Sequence, residues 1–275
     1  MLKPYLPVLI SFGLALFVAA SIRLAGGPER GARFAALGMV LAILAGLSAI
    51  AGFSWSAAGP FNRIGHIVVG AAVVGVLLDT LKPGPLLRWG LLAAFALGCG
   101  WASAINGLFV KTIPPLWQLA LAAGLSALLL GFIVRVGMMT SHKPTALTVT
   151  AVLAAGLAVL AAIAGDQVLM LAALAVTAAI IALSVVSGFL VIDIASVAVV
   201  PMAAAIVALA WAFSQREPDA AMGLAVLALA LFAERTARRV PMPGGRISDY
   251  LYIAVLAGCC AIPVAIAAVL TAARV

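Results

Sequence analysis

Two carboxylates stand out by their surroundings. Asp79 lies in "VVGVLLDTLKPG" and Asp193 in "SGFLVIDIASVAVV", each embedded in hydrocarbon side chains. On insertion scales an aspartate deep in such a run costs roughly 2.5–3.5 kcal/mol, so a functional role is the first reading. Brought together without a counter-charge, the two would repel and one would tend to hold a proton. The pair therefore calls for a metal or a basic partner, and Lys82 is three residues from Asp79. A second group is the stretch "RTARRVPMPGGRISD", which carries Arg235, Arg238, Arg239, Arg246 and then Asp249. Guanidiniums pair bidentately with phosphate oxygens, and the Pro-Met-Pro-Gly-Gly turn lets the loop fold back. Plainer readings stand beside these. Interfacial acids such as Glu234 and Asp249 cap helices or snorkel, and a basic juxtamembrane loop touches anionic lipid heads.

The elements that hold these residues are apolar runs of membrane length. Of the 275 residues 66% are hydrophobic and 9% charged, with a mean hydropathy of +1.29. A soluble domain is nearer one quarter charged. Runs of about 18 or more apolar residues recur throughout. They do not alternate as barrel strands do. The expectation is an all-α polytopic bundle forming one integral membrane domain over residues 1–275. Ten spans are expected, at 5–22, 34–53, 64–81, 87–106, 115–134, 145–164, 167–186, 189–213, 218–234 and 250–272. The seventh and eighth are nearly continuous and divide at Ser187-Gly188; the ninth is short. The first run shows no cleavage pattern and reads as a retained span.

Of the sixteen Lys and Arg residues, eleven fall in odd-numbered loops. The positive-inside rule then makes those loops cytoplasmic and puts both termini outside. With that orientation Asp79 ends span 3, Asp193 lies one turn into span 8, Glu234 ends span 9 and Asp249 opens span 10. All four are at the cytoplasmic face. A helix N-terminus favours the negative charge of Asp193 and Asp249.

Other chemistry is sparse. Cys99, Cys259 and Cys260 lie in apolar runs and read as small packing residues. His142 reads as a solvated loop residue, and His66 opens span 3 on the opposite face. Ser48, Ser126 and Thr177, at mid-span, read as bonding their own helix backbone. Pro201 and Pro263 are candidate helix breaks. No basic patch with aromatic partners points to nucleic acid.

Three stretches, in order, resemble the polyprenyl-phosphate N-acetylhexosamine-1-phosphate transferases. "GGPERGARFAALGMVLAILAGL" (26–47) is similar to that family's first cytoplasmic loop, with Ala35-Ala36 where two glycines are usual. "GVLLDTLKPGPLLRWGLLAAFAL" (75–97) resembles its Asp-Asp motif, with Asp79 at the first Asp and Thr80 at the second; Lys82 stands one residue closer than the family's lysine. "GFLVIDIASVAVV" (188–200) resembles its Gly-Asp-x-Gly-Ser stretch, with Asp193 and Ser196 matching and Ile192 and Ala195 replacing the glycines.

The resemblance implies ten spans, both ends outside, with the site at the cytoplasmic face; the Ala, Gly and Arg bias of the composition points to a bacterium, and so to a bacterial cytoplasmic membrane. It implies Asp79 and Asp193 as catalytic residues holding Mg2+, and transfer of a sugar phosphate from a UDP-sugar to polyprenyl phosphate. Lys82, Arg235, Arg238, Arg239, Arg246 and Asp249 are the candidates for binding substrate, whether polyprenyl phosphate or another anionic lipid. The chain departs from the pattern in two loops. "RVGMMTSHKPTAL" (135–147) has no acid where the family has an acidic motif, and "AERTARRVPMPGGRISDYLYI" (233–253) has arginines where the family has histidines. Two family-based readings follow: a transferase, or a divergent relative that binds the lipid or a partner without the reaction. A small-molecule or lipid transporter and a membrane scaffold subunit are the rival classes. A homodimer or a partner membrane protein is compatible with each.

Overall fold

The computed structural model describes residues 3–52, 60–105, 115–140, 143–218, 221–240 and 247–274. Every regular element among them is helical: α1 (Leu6–Ala25), α2 (Ala32–Phe34), α3 (Leu37–Ala51), α4 (Pro60–Leu81), α5 (Pro85–Ile105), α6 (Pro115–Met139), α7 (Lys143–Ile163), α8 (Gln167–Phe189), α9 (Ser196–Arg216), α10 (Ala221–Leu227), α11 (Ala233–Ala237) and α12 (Ile247–Ala272). The all-α bundle expected from composition is what forms. Among the described residues nine helical stretches, from Lys3–Ala25 to Tyr250–Ala272, are long and apolar enough to cross a membrane. In a bilayer such helices satisfy their own backbone groups, which no open strand does.

Local sequence sets several helix starts. α4, α5 and α6 begin on Pro60, Pro85 and Pro115, and α7 carries Pro144 at its second position. Proline there has its φ preset and lacks an N–H that would go unpaired anyway. α8 is capped by Asp166, whose carboxylate accepts from Leu169 N at 3.0 Å.

Burial orders the bundle. α9 is its centre, with Val197, Ala203, Leu209 and Phe213 fully buried. It packs on α4, α6 and α8. α1, α5 and α12 lie outside and expose Phe17, Trp101 and Val269. Apolar faces of that extent fit a lipid surround.

The mid-span hydroxyls turn to their own helices as expected: Ser48 donates to Leu44 O at 2.6 Å, Ser126 to Ala122 O at 2.6 Å and Thr177 to Ala173 O at 2.8 Å. Pro201 and Pro263 break nothing; α9 and α12 run through them.

The structure corrects one boundary that matters for the site. α8 continues to Phe189, residues 190–195 form an extended link, and α9 starts only at Ser196. Asp193 is thus in the link and exposed, not one turn inside a span. Hydropathy misplaces it because Ile192 and Ile194 in the link are buried against the bundle, so an extended segment reads as more helix. The link is tied to the first connection, where Asp193 N donates to Ala32 O at 2.9 Å and Arg23 Nε to Val191 O at 2.6 Å.

The short expected span 218–234 is helical but uneven: α10, a 3₁₀ turn at Ala228–Phe232, then α11. Neighbouring side chains donate to two carbonyls of that turn, Cys260 Sγ to Ala230 O at 3.7 Å and Arg135 Nε to Leu231 O at 3.0 Å. Two ion pairs mark its course. Arg216, ending α9, pairs with Asp166 before α8 at 2.5 Å. Arg135, near the end of α6, pairs with Glu234 of α11 at 3.3 Å. Since α6 to α9 alternate in direction through short links, these pairs lie at opposite ends of the bundle. The 221–237 segment leads from one to the other.

Candidate functional site

Asp79 occupies the last turn of α4, and its carboxylate is turned onto the start of α9. Oδ1 accepts from Ser196 N at 3.2 Å and Oδ2 from Val197 N at 2.7 Å. A helix leaves its first N–H groups without internal partners. Ala195, at the N-cap position of α9, has no side chain able to accept them. Asp79 supplies the missing cap from another helix, and its charge meets the positive pole of α9. Gly75, one turn earlier, permits the approach: a Cβ there would stand 2.8 Å from Ser196 O and 2.9 Å from Val197 Cα.

Cations gather around this junction. Arg33 Nη1 lies 3.4 Å from the Asp79 carbonyl, one of the C-terminal carbonyls α4 leaves open. Arg33, Asp79, Lys82, Arg88 and Ser196 line a cavity of about 260 Å³. Arg33 and Asp79 are half-buried, while Lys82 and Arg88 are exposed. Lys82 holds a left-handed backbone, φ 43°, where α4 turns into Pro83-Gly84. A second cavity of about 210 Å³ shares Leu78, Asp79, Arg88 and Ser196. It extends among Leu92, Ile133, Ile194 and Val199.

The arrangement is therefore a basic hollow beside a helix N-terminus, sharing walls with a second hollow of mixed polar and apolar lining. Three side-chain cations face one carboxylate, and that carboxylate is already engaged by two N–H donors. Such a set attracts an anion. Phosphate suits it, because guanidiniums present paired N–H groups to its oxygens.

A divalent cation fits this donor set poorly. Mg2+ takes one or two carboxylates with phosphates and water, but here the single lining carboxylate sits among three positive charges. No group of three or more His, Cys, Asp or Glu side chains suited to a metal occurs among the described residues. Asp193 lies three residues before Ser196, at the same end of the bundle as Asp79, but lines neither cavity.

The arginine-rich stretch forms a separate cluster. Glu234 is buried and accepts from Arg135 Nη2 at 3.3 Å and Arg238 Nη2 at 2.5 Å. The Glu234 carboxylate holds the Arg238 guanidinium above its ordinary range. The guanidinium of Arg135 also stacks over Phe232, 5.3 Å from the ring centre. Arg235 and Arg239 are exposed beside it. None of Arg235, Arg238 and Arg239 lines either Asp79 cavity. Arg246 and His142 lie outside the described residues, and Asp249 is described in its backbone alone. His66, in the first part of α4, has Nδ1 2.6 Å from Asn62 O.

Of the residues picked from sequence, the structure brings Asp79 and Lys82 together. It adds Arg33, Arg88 and the Ser196 N–H. Arg33 and Arg88 carried a signal, since both lie within the stretches that carry the resemblance, but as loop charges they count first toward orientation. Comparison with known proteins yields no matching family model and no matching curated protein.

Proposed function

We propose that this chain is a multi-pass protein of the bacterial cytoplasmic membrane that binds the phosphate head of a polyprenyl phosphate between the ends of α4 and α9. In this reading it keeps the scaffold of the sugar-phosphate transferases it resembles, without their full catalytic set. One observation carries it: Arg33, Lys82 and Arg88 surround a cavity at the start of α9.

The orientation supports the reading. Arg23, Arg30, Arg33, Lys82 and Arg88 lie in or next to the connections at the end of the bundle where the cavity opens, so the positive-inside rule turns the site to the cytoplasm. Ten crossings, with both termini outside, are supported by the path of 221–237 between the two ion pairs at opposite ends.

Catalytic transfer from a UDP-sugar is the second reading. Its support is that Asp193 lies three residues from the N–H that Asp79 holds, so both acids share one end of the bundle. One experiment addresses both. Purified full-length protein is tested by thermal unfolding and native mass spectrometry with undecaprenyl phosphate and with undecaprenol, then with UDP-sugars and the phosphorylated lipid for UMP release. The binding reading expects stabilisation by the phosphate alone and no UMP. Equal response to lipid and alcohol contradicts it. UMP release establishes the transferase reading instead.

A further inference from the structure

We infer that the cavity beside Asp79 holds its phosphate without a divalent metal, with Arg33, Lys82 and Arg88 neutralising the charge that Mg2+ would otherwise balance. The inference rests on the phosphate-binding reading and concerns how that site works.

Consider what each oxygen of Asp79 does. A metal-binding carboxylate points its lone pairs at the ion, with second-shell donors behind it. Here both oxygens point at backbone N–H groups of α9, at 3.2 and 2.7 Å. The carboxylate belongs to the helix end, and its charge is spent largely on the helix pole. The remaining lining charges are all positive. A divalent cation entering would face Arg33, Lys82 and Arg88 together. A phosphate monoester, doubly negative, would face the same three as partners.

A second carboxylate from the link would be the natural way to build a metal site. The link does not deliver one. Asp193 is exposed, lies outside the cavity lining, and has its backbone fixed by the bond from its N–H to Ala32 O. The same connection carries Arg33 to the cavity wall. The geometry at this end of the bundle thus brings a guanidinium where a metal site would bring an acid. Lys82, in a left-handed backbone rarely adopted by residues other than glycine and asparagine, is kept at the lip of the cavity.

Asp79→Asn separates the two possibilities, because the amide oxygen still accepts an N–H from α9 while one negative charge leaves the cavity. If the site is a cation-lined anion site, the variant binds phosphate as well as or better than the parent. If Asp79 holds a metal, the variant loses binding. The test uses full-length protein in detergent with dodecyl phosphate as probe, titrated in excess EDTA and in excess MgCl₂. The expected result is affinities within about twofold in the two buffers, and no loss in Asp79→Asn. Arg33→Gln and Arg88→Gln should each weaken binding about tenfold in EDTA, for loss of a charge-assisted contact. Binding that needs Mg2+, falling tenfold or more in EDTA and lost in Asp79→Asn, overturns the inference while leaving phosphate binding intact. Absence of binding in either buffer, in protein with a parental unfolding temperature, overturns the phosphate-binding reading itself.

Discussion

Asp79 Oδ2 lies 2.7 Å from the backbone nitrogen of Val197, 118 residues along the chain. The bond joins the end of α4 to the start of α9, and the basic cavity opens beside it. Fold and candidate site meet at this contact, so substitutions here bear on both.

Asp79→Ala removes a helix cap and leaves the N–H groups of Ser196 and Val197 unpaired. Loss of a cap costs about 1–2 kcal/mol. Thermal unfolding of the purified protein should show the drop, and Asp79→Asn should show a smaller one. Gly75→Ala pushes a methyl group against Ser196 O and Val197 Cα. Overpacking of that kind costs about 1–3 kcal/mol, and it should lower stability and lipid binding together.

Lys82→Gly should move stability and binding in opposite directions. Glycine adopts the left-handed backbone that Lys82 holds at φ 43° without the Cβ conflict, a relief of about 1 kcal/mol. The ammonium at the cavity lip is lost, and affinity for a lipid phosphate should fall by about tenfold. Unfolding temperature and a binding titration on the same preparation check the pair.

Much of this was legible in the sequence, for physical reasons. Long apolar runs without strand alternation read as a bundle of membrane-length helices, and such helices form, with Pro60, Pro85 and Pro115 setting starts that hydropathy alone places up to a few residues later. That Asp79 and Asp193 lie at one end also follows from counting crossings. What hydropathy does not register is backbone direction within an apolar stretch. Leu190 to Ile194 is as greasy as a helix, so Asp193 read as buried in a span when it lies in an exposed link. Nor does anything near Ala195 reveal that its cap comes from α4, because a capping partner far along the chain leaves no local pattern. Arg33 and Arg88 were visible as charges, but only three-dimensional closure shows that they share a cavity with Asp79.

The Glu234 cluster should behave as a structural joint. Its buried carboxylate holds Arg135 from α6 and Arg238 from the following turn. Glu234→Ala leaves the half-buried Arg135 guanidinium with the Leu231 carbonyl and the Phe232 ring but no counter-charge, and should cost about 2 kcal/mol. Arg238→Ala removes an arginine whose side chain is 51% exposed, and should cost less than about 1 kcal/mol. A larger loss for Arg238→Ala in denaturation would contradict this ordering.

The most direct test asks whether Arg33 and Arg88 hold a lipid phosphate, as proposed. Affinity for undecaprenyl phosphate is measured for Arg33→Gln/Arg88→Gln and for Arg235→Gln/Arg239→Gln, each shown to fold. A loss of about a hundredfold is expected for the first pair, which removes two charge-assisted contacts, and parental affinity for the second. Undiminished binding in Arg33→Gln/Arg88→Gln, with the loss in Arg235→Gln/Arg239→Gln instead, would contradict the proposal.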